Sequence, residues 1–240
     1  MDGPVTLAID IGGTGLKADA LDANGHMLVD RVRTPTEYPC PPDALISALR
    51  GLVAPLPAFD RVSAGFPGVV RNGLVLSAPH FVTVDGPGSH IDPELVKAWD
   101  HFDLASALKR TWQRPTRVLN DADLQGLDVV SGRGVELVVT LGTGVGTAIF
   151  EDGRLGSHLE LAHHPFRKGE AYNDQLGAAA RKHIGNKRWK TIVSARRSIH
   201  CARSRCSITS TSAEATPSTP ISRSQTTSPS LTPTPASSAV

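Results

Sequence analysis

The stretch Asp10-Ile11-Gly12-Gly13-Thr14-Gly15-Leu16-Lys17 lies between two apolar runs, Val5–Ile11 and Leu16–Leu21. An apolar run that breaks on glycines and resumes at once predicts two strands joined by a tight hairpin. Glycines let the backbone of such a hairpin approach a phosphate, the Thr14 hydroxyl can donate to it, and Asp10 can hold a magnesium-bound water nearby. Taken alone, the motif is equally an ordinary Gly-rich turn. A second stretch of the same kind, Leu141-Gly142-Thr143-Gly144-Val145-Gly146-Thr147, ends one apolar run and opens the strand Ala148–Phe150. Two Gly-Thr hairpins can face one another and hold an oligophosphate between their amide groups, and the pair is far more specific than either member. No GxxxxGK[ST] occurs, so a P-loop is not the basis of this reading.

Outward from the first hairpin, Asn24-Gly25 marks a turn before a third strand over Met27–Val32. Ala44–Val53 has helical spacing and ends at prolines, and a short strand, Arg61–Gly65, runs into Gly65-Phe66-Pro67-Gly68. Asp103–Trp112 is an amphipathic helix closed by Pro115, followed by strands over Thr116–Leu119 and Glu136–Leu141 with a helix over Asp121–Val130 between them. Strand-helix-strand alternation predicts an α/β fold with a mostly parallel sheet.

Between the hairpins, Leu119-Asn120-Asp121-Ala122 ends an apolar strand on a carboxylate just before a helix. Phosphoryl transfer to an alcohol needs a base within hydrogen-bond reach of the hydroxyl, and Asp121 fits. Asn or Asp at a helix start is also the commonest N-cap. Further on, Glu160-Leu161-Ala162-His163-His164 can turn Glu160 and His163 toward sugar hydroxyls. The adjacent histidines also suit a solvent-facing turn, and a metal is the weaker idea because no third nitrogen or sulfur ligand lies at useful spacing.

In order and spacing, the Asp10 loop, Gly65-Phe66-Pro67-Gly68, Asn120-Asp121-Ala122, the Gly142 loop and Glu160-x-x-His163 resemble the motif series of the ROK sugar kinases. The resemblance covers the first 189 residues and implies an actin/hexokinase-like (ribonuclease H-like) two-lobed α/β fold. It implies Asp121 as catalytic base and Gly68, Asn120, Asp121, Glu160, His163 and His164 as sugar-binding residues. It implies Asp10, Gly12, Gly13, Thr14, Lys17, Gly142, Thr143 and Gly144 as the phosphate site, with Mg2+ as cofactor. Members with a structural zinc carry CxCGxxGC after the Glu-x-x-His element, where this chain has Pro165-Phe166-Arg167-Lys168-Gly169-Glu170. The zinc-free polyphosphate glucokinase branch is therefore the closer likeness, with no protein metal site and with polyphosphate, ATP or both as donor to the 6-hydroxyl of glucose or a similar hexose. Many members also have Asn where His80 stands in Ala78-Pro79-His80, and which of His163 and His164 meets sugar stays open. Arg167, Lys168, Arg181, Lys182, Lys187 and Arg188 can extend a basic track for a polyanion, or simply form a solvated face. The alternatives are a non-catalytic sugar-binding member and an inactive product.

Bulk properties agree with such an enzyme. At 240 residues and 40% hydrophobic the chain can bury a real core, and a formal charge of +2 gives no support for a nucleic-acid partner. No leader or spanning run opens the chain, which makes a cytoplasmic, membrane-free protein the expectation, with a homodimer possible. Three cysteines, Cys40, Cys201 and Cys206, are too few and too irregular for a disulfide framework.

The expected lobes are residues 1–118 and 119–189, the second incomplete, followed by a disordered segment, 190–240. The last forty residues hold 19 Ser or Thr and 5 Pro, a composition that cannot build a packed core. Back-translating Lys190 to Pro217 and reading the neighbouring frame permits Asn-His-Arg-Val-Arg-Lys-Ala-Leu-His-Thr-Leu-Arg-Ala-Leu, then Ala-Leu-Leu-Asp-His-Leu-Tyr-Ile-Gly-Gly-Gly-Asn-Ala. The first piece has an amphipathic helix pattern and the second is a strand with a Gly-rich turn, the elements the resemblance leads one to expect here. A frameshift from about Lys190 is the expected origin of the segment, and poor stability with little or no kinase activity its expected result. Nucleotides that do not permit this alternative frame would overturn the frameshift.

Overall fold

The structure is a computed structural model that describes residues 3–142, 144–197 and 205–209. The first lobe runs β1 (Thr6–Ile11), β2 (Gly15–Leu21), β3 (Val32–Pro35), α1 (Pro42–Val53), β4 (Arg61–Phe66), β5 (Val70–Arg71), β6 (Leu74–Val75), α2 (Pro93–Trp99), β7 (Phe102–Asp103) and α3 (Leu104–Trp112), and its sheet is completed by β8 (Thr116–Asn120). The chain continues through α4 (Asp121–Val129), β9 (Val135–Leu141), β10 (Val145–Glu151), β11 (Arg154–Leu155), β12 (Pro165–Arg167), β13 (Glu170–Ala171), α5 (Tyr172–Leu176), α6 (Ala178–Ile184), α7 (Asn186–Arg197) and β14 (Arg205–Thr209).

The first sheet has the order β3-β2-β1-β4-β8. β1 and β2 form the hairpin expected of the Asp10 motif, and β1, β4 and β8 are parallel. Parallel strands demand crossovers, which α1 and α3 supply. α1 starts on Pro42, where a missing N–H costs nothing, and turns Leu45, Leu49, Leu52 and Val53 inward. α3 is capped by Asp103, whose carboxylate accepts from the Ser106 amide at 2.9 Å. Under the sheet, Phe66, Phe81 and Trp99 pack with ring centroids 5.3–5.4 Å apart, the two phenylalanines stacked and Trp99 tilted against both, and the Trp99 indole donates to the Cys40 carbonyl at 3.0 Å.

The second sheet, β11-β10-β9-β14, is built on the antiparallel β9–β10 pair. α4 packs tightly on it: a Cβ at Gly126 would lie 2.5 Å from the Phe150 ring, and one at Gly146 would lie 2.7 Å from the Ala122 Cβ. A second apolar group joins Leu141, Val145, Leu176 and Trp189.

Two expectations change. The third strand is Val32–Pro35 rather than Met27–Val32. Asp22 accepts from the Asn24 and His26 amides, and Met27 makes one bridge to Leu21 while remaining 58% exposed. The chain returns to β2 only after Arg31 has paired with Asp19. The segment after Lys190 is not featureless either: α7 runs on to Arg197, and Arg205–Thr209 lies parallel to β9. Main-chain pairing is indifferent to side chains, so the open edge of β9 takes a strand even from an unpromising stretch. Residues 198–204 and 210–240 of the expected disordered segment lie outside the described residues.

Phe81 is fully buried. Replacing it with Ala is expected to cost about 3–5 kcal/mol of stability, read as a lower urea midpoint with an unchanged slope.

Candidate functional site

The parallel register brings three chain segments to one edge of the sheet. Asp10 pairs with Gly65, Gly65 with Leu119 and Phe66 with Asn120, so β1, β4 and β8 deliver their following loops side by side. At the end of β8, Asn120 caps α4: its Oδ1 accepts from the Ala122 amide at 2.8 Å and the Asp123 amide at 3.3 Å, while Nδ2 donates to the Gly68 carbonyl at 2.9 Å. One N–H of this buried side chain remains, so toward a ligand Asn120 can act only as a donor.

Asp121 follows the cap, and its Oδ1 accepts from the Ala122 amide at 2.8 Å. Burial raises its carboxyl from 3.8 to about 6; the Ala122 amide opposes this, while Asp10 and Glu160 add like charge. A carboxylate with such a value is a proton acceptor near neutrality, where an ordinary aspartate is a much weaker base. Gly65 lies directly behind it: a Cβ there would be 3.6 Å from the Asp121 Cα and 3.3 Å from the Leu124 side chain.

The Gly12–Thr14 hairpin is braced from outside. Thr36 Oγ1 donates to the Gly12 carbonyl at 2.7 Å, Tyr38 Oη to the Gly13 carbonyl at 2.6 Å, and the Thr36 amide to the Thr14 carbonyl at 3.4 Å. A Cβ at Gly13 would lie 2.8 Å from His80, whose half-buried imidazole is held below its usual range by desolvation. Asp10 Oδ2 pairs with Lys17 Nζ at 2.9 Å, and both side chains are substantially exposed. In the second hairpin the Gly142 amide donates to the Gly144 carbonyl at 2.9 Å, and Asn173 Oδ1 accepts from the Val145 amide at 2.8 Å. Thr143 lies outside the described residues.

Glu160 reaches the same region on a strap tied to β10, where Thr147 Oγ1 donates to the Leu159 carbonyl. Glu160 Oε1 accepts from the Ala162 amide at 3.0 Å. Its carboxyl is held below the usual range chiefly by His158, with smaller help from that amide and from His163. His163 and His164 are exposed on the turn after it, and His164 serves the fold through its carbonyl, which accepts from the Tyr172 amide at 3.1 Å. The suggested basic track is partly committed elsewhere: Arg167 donates to Gln175, and Arg181 lies over the Trp189 ring, 5.5 Å from its centroid.

Thr36, Tyr38, Asn173 and His158 escaped the sequence reading. None stands in a local pattern that announces it, because each acts on a segment 12 or more residues away or through a partner that only folding supplies.

A sheet of this order, a glycine hairpin at each lobe and a partly buried carboxylate at the sheet end define an actin/hexokinase-like two-lobed fold. The chain belongs to the ROK family, whose sequence profile matches residues 6–170. It is 34% identical over 155 residues to the N-acetylmannosamine kinase of Escherichia coli O139:H28, which covers 62% of this chain and 48% of that protein. The chain thus spans about half the length of the curated relatives it matches. Among solved structures, the inorganic polyphosphate/ATP-glucomannokinase of Arthrobacter sp. strain KM superposes with a TM-score of 0.63 at 28% identity, covering 86% of this chain and 92% of that one. The ROK family glucokinase of Streptomyces griseus, in complex with glucose and AMPPNP, shares the fold with a TM-score of 0.57 at 20% identity, over 80% of this chain and 63% of that one.

A Cβ at Gly68 would sit 2.0 Å from the Ser77 carbonyl oxygen, whereas one at Gly51 on α1 meets nothing within 4 Å. Gly68→Ala is expected to lower stability by roughly 1–3 kcal/mol and Gly51→Ala to raise it by roughly 0.5–1 kcal/mol, compared by thermal melting.

Proposed function

We propose that the chain carries a sugar kinase site, transferring a phosphoryl group from ATP or polyphosphate to the 6-hydroxyl of glucose or a similar hexose. The observation that carries this reading is the raised carboxyl of Asp121 at the edge shared by the Asp10 hairpin and the Glu160 strap. Asp121 takes the proton of the sugar hydroxyl as its oxygen forms a bond to the terminal phosphorus. The bond from that phosphorus to the bridging oxygen breaks, and the shortened donor leaves with the electron pair. Glu160 accepts hydrogen bonds from neighbouring sugar hydroxyls, and His163 or His164 adds a further contact from the exposed turn. Gly68 shapes the sugar loop, and Asn120 holds it through its bond to the Gly68 carbonyl.

The Gly12–Thr14 hairpin with Lys17, and Gly142 to Gly144 with Thr143, take the phosphates. Asp10 fits Mg2+: its half-exposed carboxylate is a hard oxygen donor, and this ion needs only one or two carboxylates besides phosphate and water. When bound, Mg2+ supplies positive charge against the phosphate oxygens. Among the described residues no group of three or more His, Cys, Asp or Glu is arranged to hold a metal, so an all-protein cage is not the basis of this reading. The name of the Arthrobacter relative supports both donors, while that of the Escherichia relative supports a hexose bearing an N-acetyl group. Among the described residues no helix is long and apolar enough to cross a membrane.

The test is a coupled assay with glucose, mannose and N-acetylmannosamine against each donor. It is run on the 240-residue chain, on a chain restored to the alternative frame from Lys190, and on Asp121→Asn. The restored chain is expected to be the faster, and Asp121→Asn is expected to lose at least ~100-fold in kcat. The rate should climb as pH rises through about 6, where Asp121 loses its proton. A raised acid pKa means that ionisation destabilises the fold, so this cost appears as pH rises from 3.8 through about 6. Asp121→Asn should therefore stabilise the protein more at pH 7.5 than at pH 4.5, by at most about 3 kcal/mol. An inactive restored chain with every sugar and both donors rejects the kinase, and if that chain still binds sugar, a non-catalytic sugar-binding member takes its place.

A further inference from the structure

Behind the Asp121 edge lies a group of ionisable side chains that the transfer step does not use. His158 sits between two carboxylates, with Nδ1 3.4 Å from Asp123 Oδ2 and Nε2 3.8 Å from Glu160 Oε2. These are ion-pair distances rather than hydrogen bonds, and among the described residues Asp123 Oδ1 and both ring nitrogens have no hydrogen-bond partner. Burial differs sharply along the row: the side chain of Asp123 is 4% exposed, that of His158 11% and that of Glu160 41%. A carboxylate as buried as Asp123 needs a cation or a proton. His158 is placed to supply the one, and its second nitrogen points at the residue read above as a sugar ligand.

The helix geometry separates this row from the base. Asp121 and Asp123 are two residues apart on α4 and so face different directions. Asp123 and His158 line a cavity of about 560 Å³ together with Arg71, Asn72 and Arg117, while Asp10, Gly68 and Asp121 take no part in its wall. His158 therefore reaches the substrate side only through Glu160.

We propose that His158 is a positioning residue that ties Glu160 to the buried Asp123 and so holds the Glu160 carboxylate in the orientation that meets the sugar. This rests on the reading of Glu160 as a sugar ligand. Electrostatics agrees with the geometry: Asp123, then Glu160, raise the imidazole to about 9 against desolvation, and His158 in turn lowers Glu160. The charged groups around the row are Asp123 on α4, Asp121 and His163 near Glu160, and Arg71 on β5 with Arg117 on β8 across the cavity. For a raised histidine the stabilisation is complete below pH 6.5 and is lost as pH rises through about 9. Sugar affinity should accordingly fall above pH 9.

Two measurements on the full chain decide the proposal. Histidine NMR should give His158 a titration midpoint well above 6.5, lowered in Glu160→Gln and again in Asp123→Asn; a midpoint that Glu160→Gln leaves unmoved overturns the bridge. Calorimetry with glucose and with N-acetylmannosamine should find sugar bound about tenfold more weakly by His158→Gln, the size of one charge-assisted contact. The double variant should be no weaker than Glu160→Gln alone. If His158→Gln weakens sugar equally in both backgrounds, His158 acts independently and the proposal fails. A chain that binds no sugar defeats the kinase reading instead, while the NMR titration, which needs no sugar and keeps His158 in place, still decides the bridge.

Discussion

The parallel register of β1, β4 and β8 is the constraint on which everything else rests. Parallel pairing fixes which residue of each strand stands opposite which, and here it sets Asp10 against Gly65 and Phe66 against Asn120. A slip by one residue would turn Ile9, Ala64 and Val118 out of the core and swing the strand-end side chains to the wrong face. The buried alternation along these strands therefore defends the position of Asp121 as well as the core. Gly65 packs closely beneath the helix start, where a Cβ would already press on the Leu124 side chain at 3.3 Å.

The second lobe depends on the first through α4. That helix begins on the last residue pair of the first sheet and lays Gly126 against Phe150 of the second. One helix thus carries the Asp121 carboxylate on one side and Asp123 on another, so the orientation of the Asp121 carboxylate and the seating of the Glu160 strap are set together. The β9 edge is less well defended. Its partner, Arg205–Thr209, overlaps the stretch whose alternative frame permits Leu-Leu-Asp-His-Leu-Tyr-Ile.

Most of the fold was legible because its signals are local. The glycine hairpins, the helices from Pro42 to Val53 and from Leu104 to Trp112, and the Asn120 cap depend on neighbours within a few residues. The third strand was misplaced because Asn24-Gly25 announces a turn but not how much chain the Asp19–Arg31 pair draws out before pairing resumes. α2 went unread because its seven residues are too few to show a period, although Asp92 caps it as plainly as Asp103 caps α3. In the site, Asp121 and Glu160 stood in recognisable motifs. His158, two residues before Glu160, stands in none of these motifs; folding sets it beside Asp123, 35 positions earlier in the chain.

The bracing of the first hairpin has one more effect. Its three carbonyls, at Gly12, Gly13 and Thr14, each already accept a bond from Thr36 or Tyr38. Each bond turns its carbonyl toward the Thr36–Tyr38 segment and ties the tip to it. A change at Thr36 or Tyr38 would free these oxygens and release the tip from the segment that braces it.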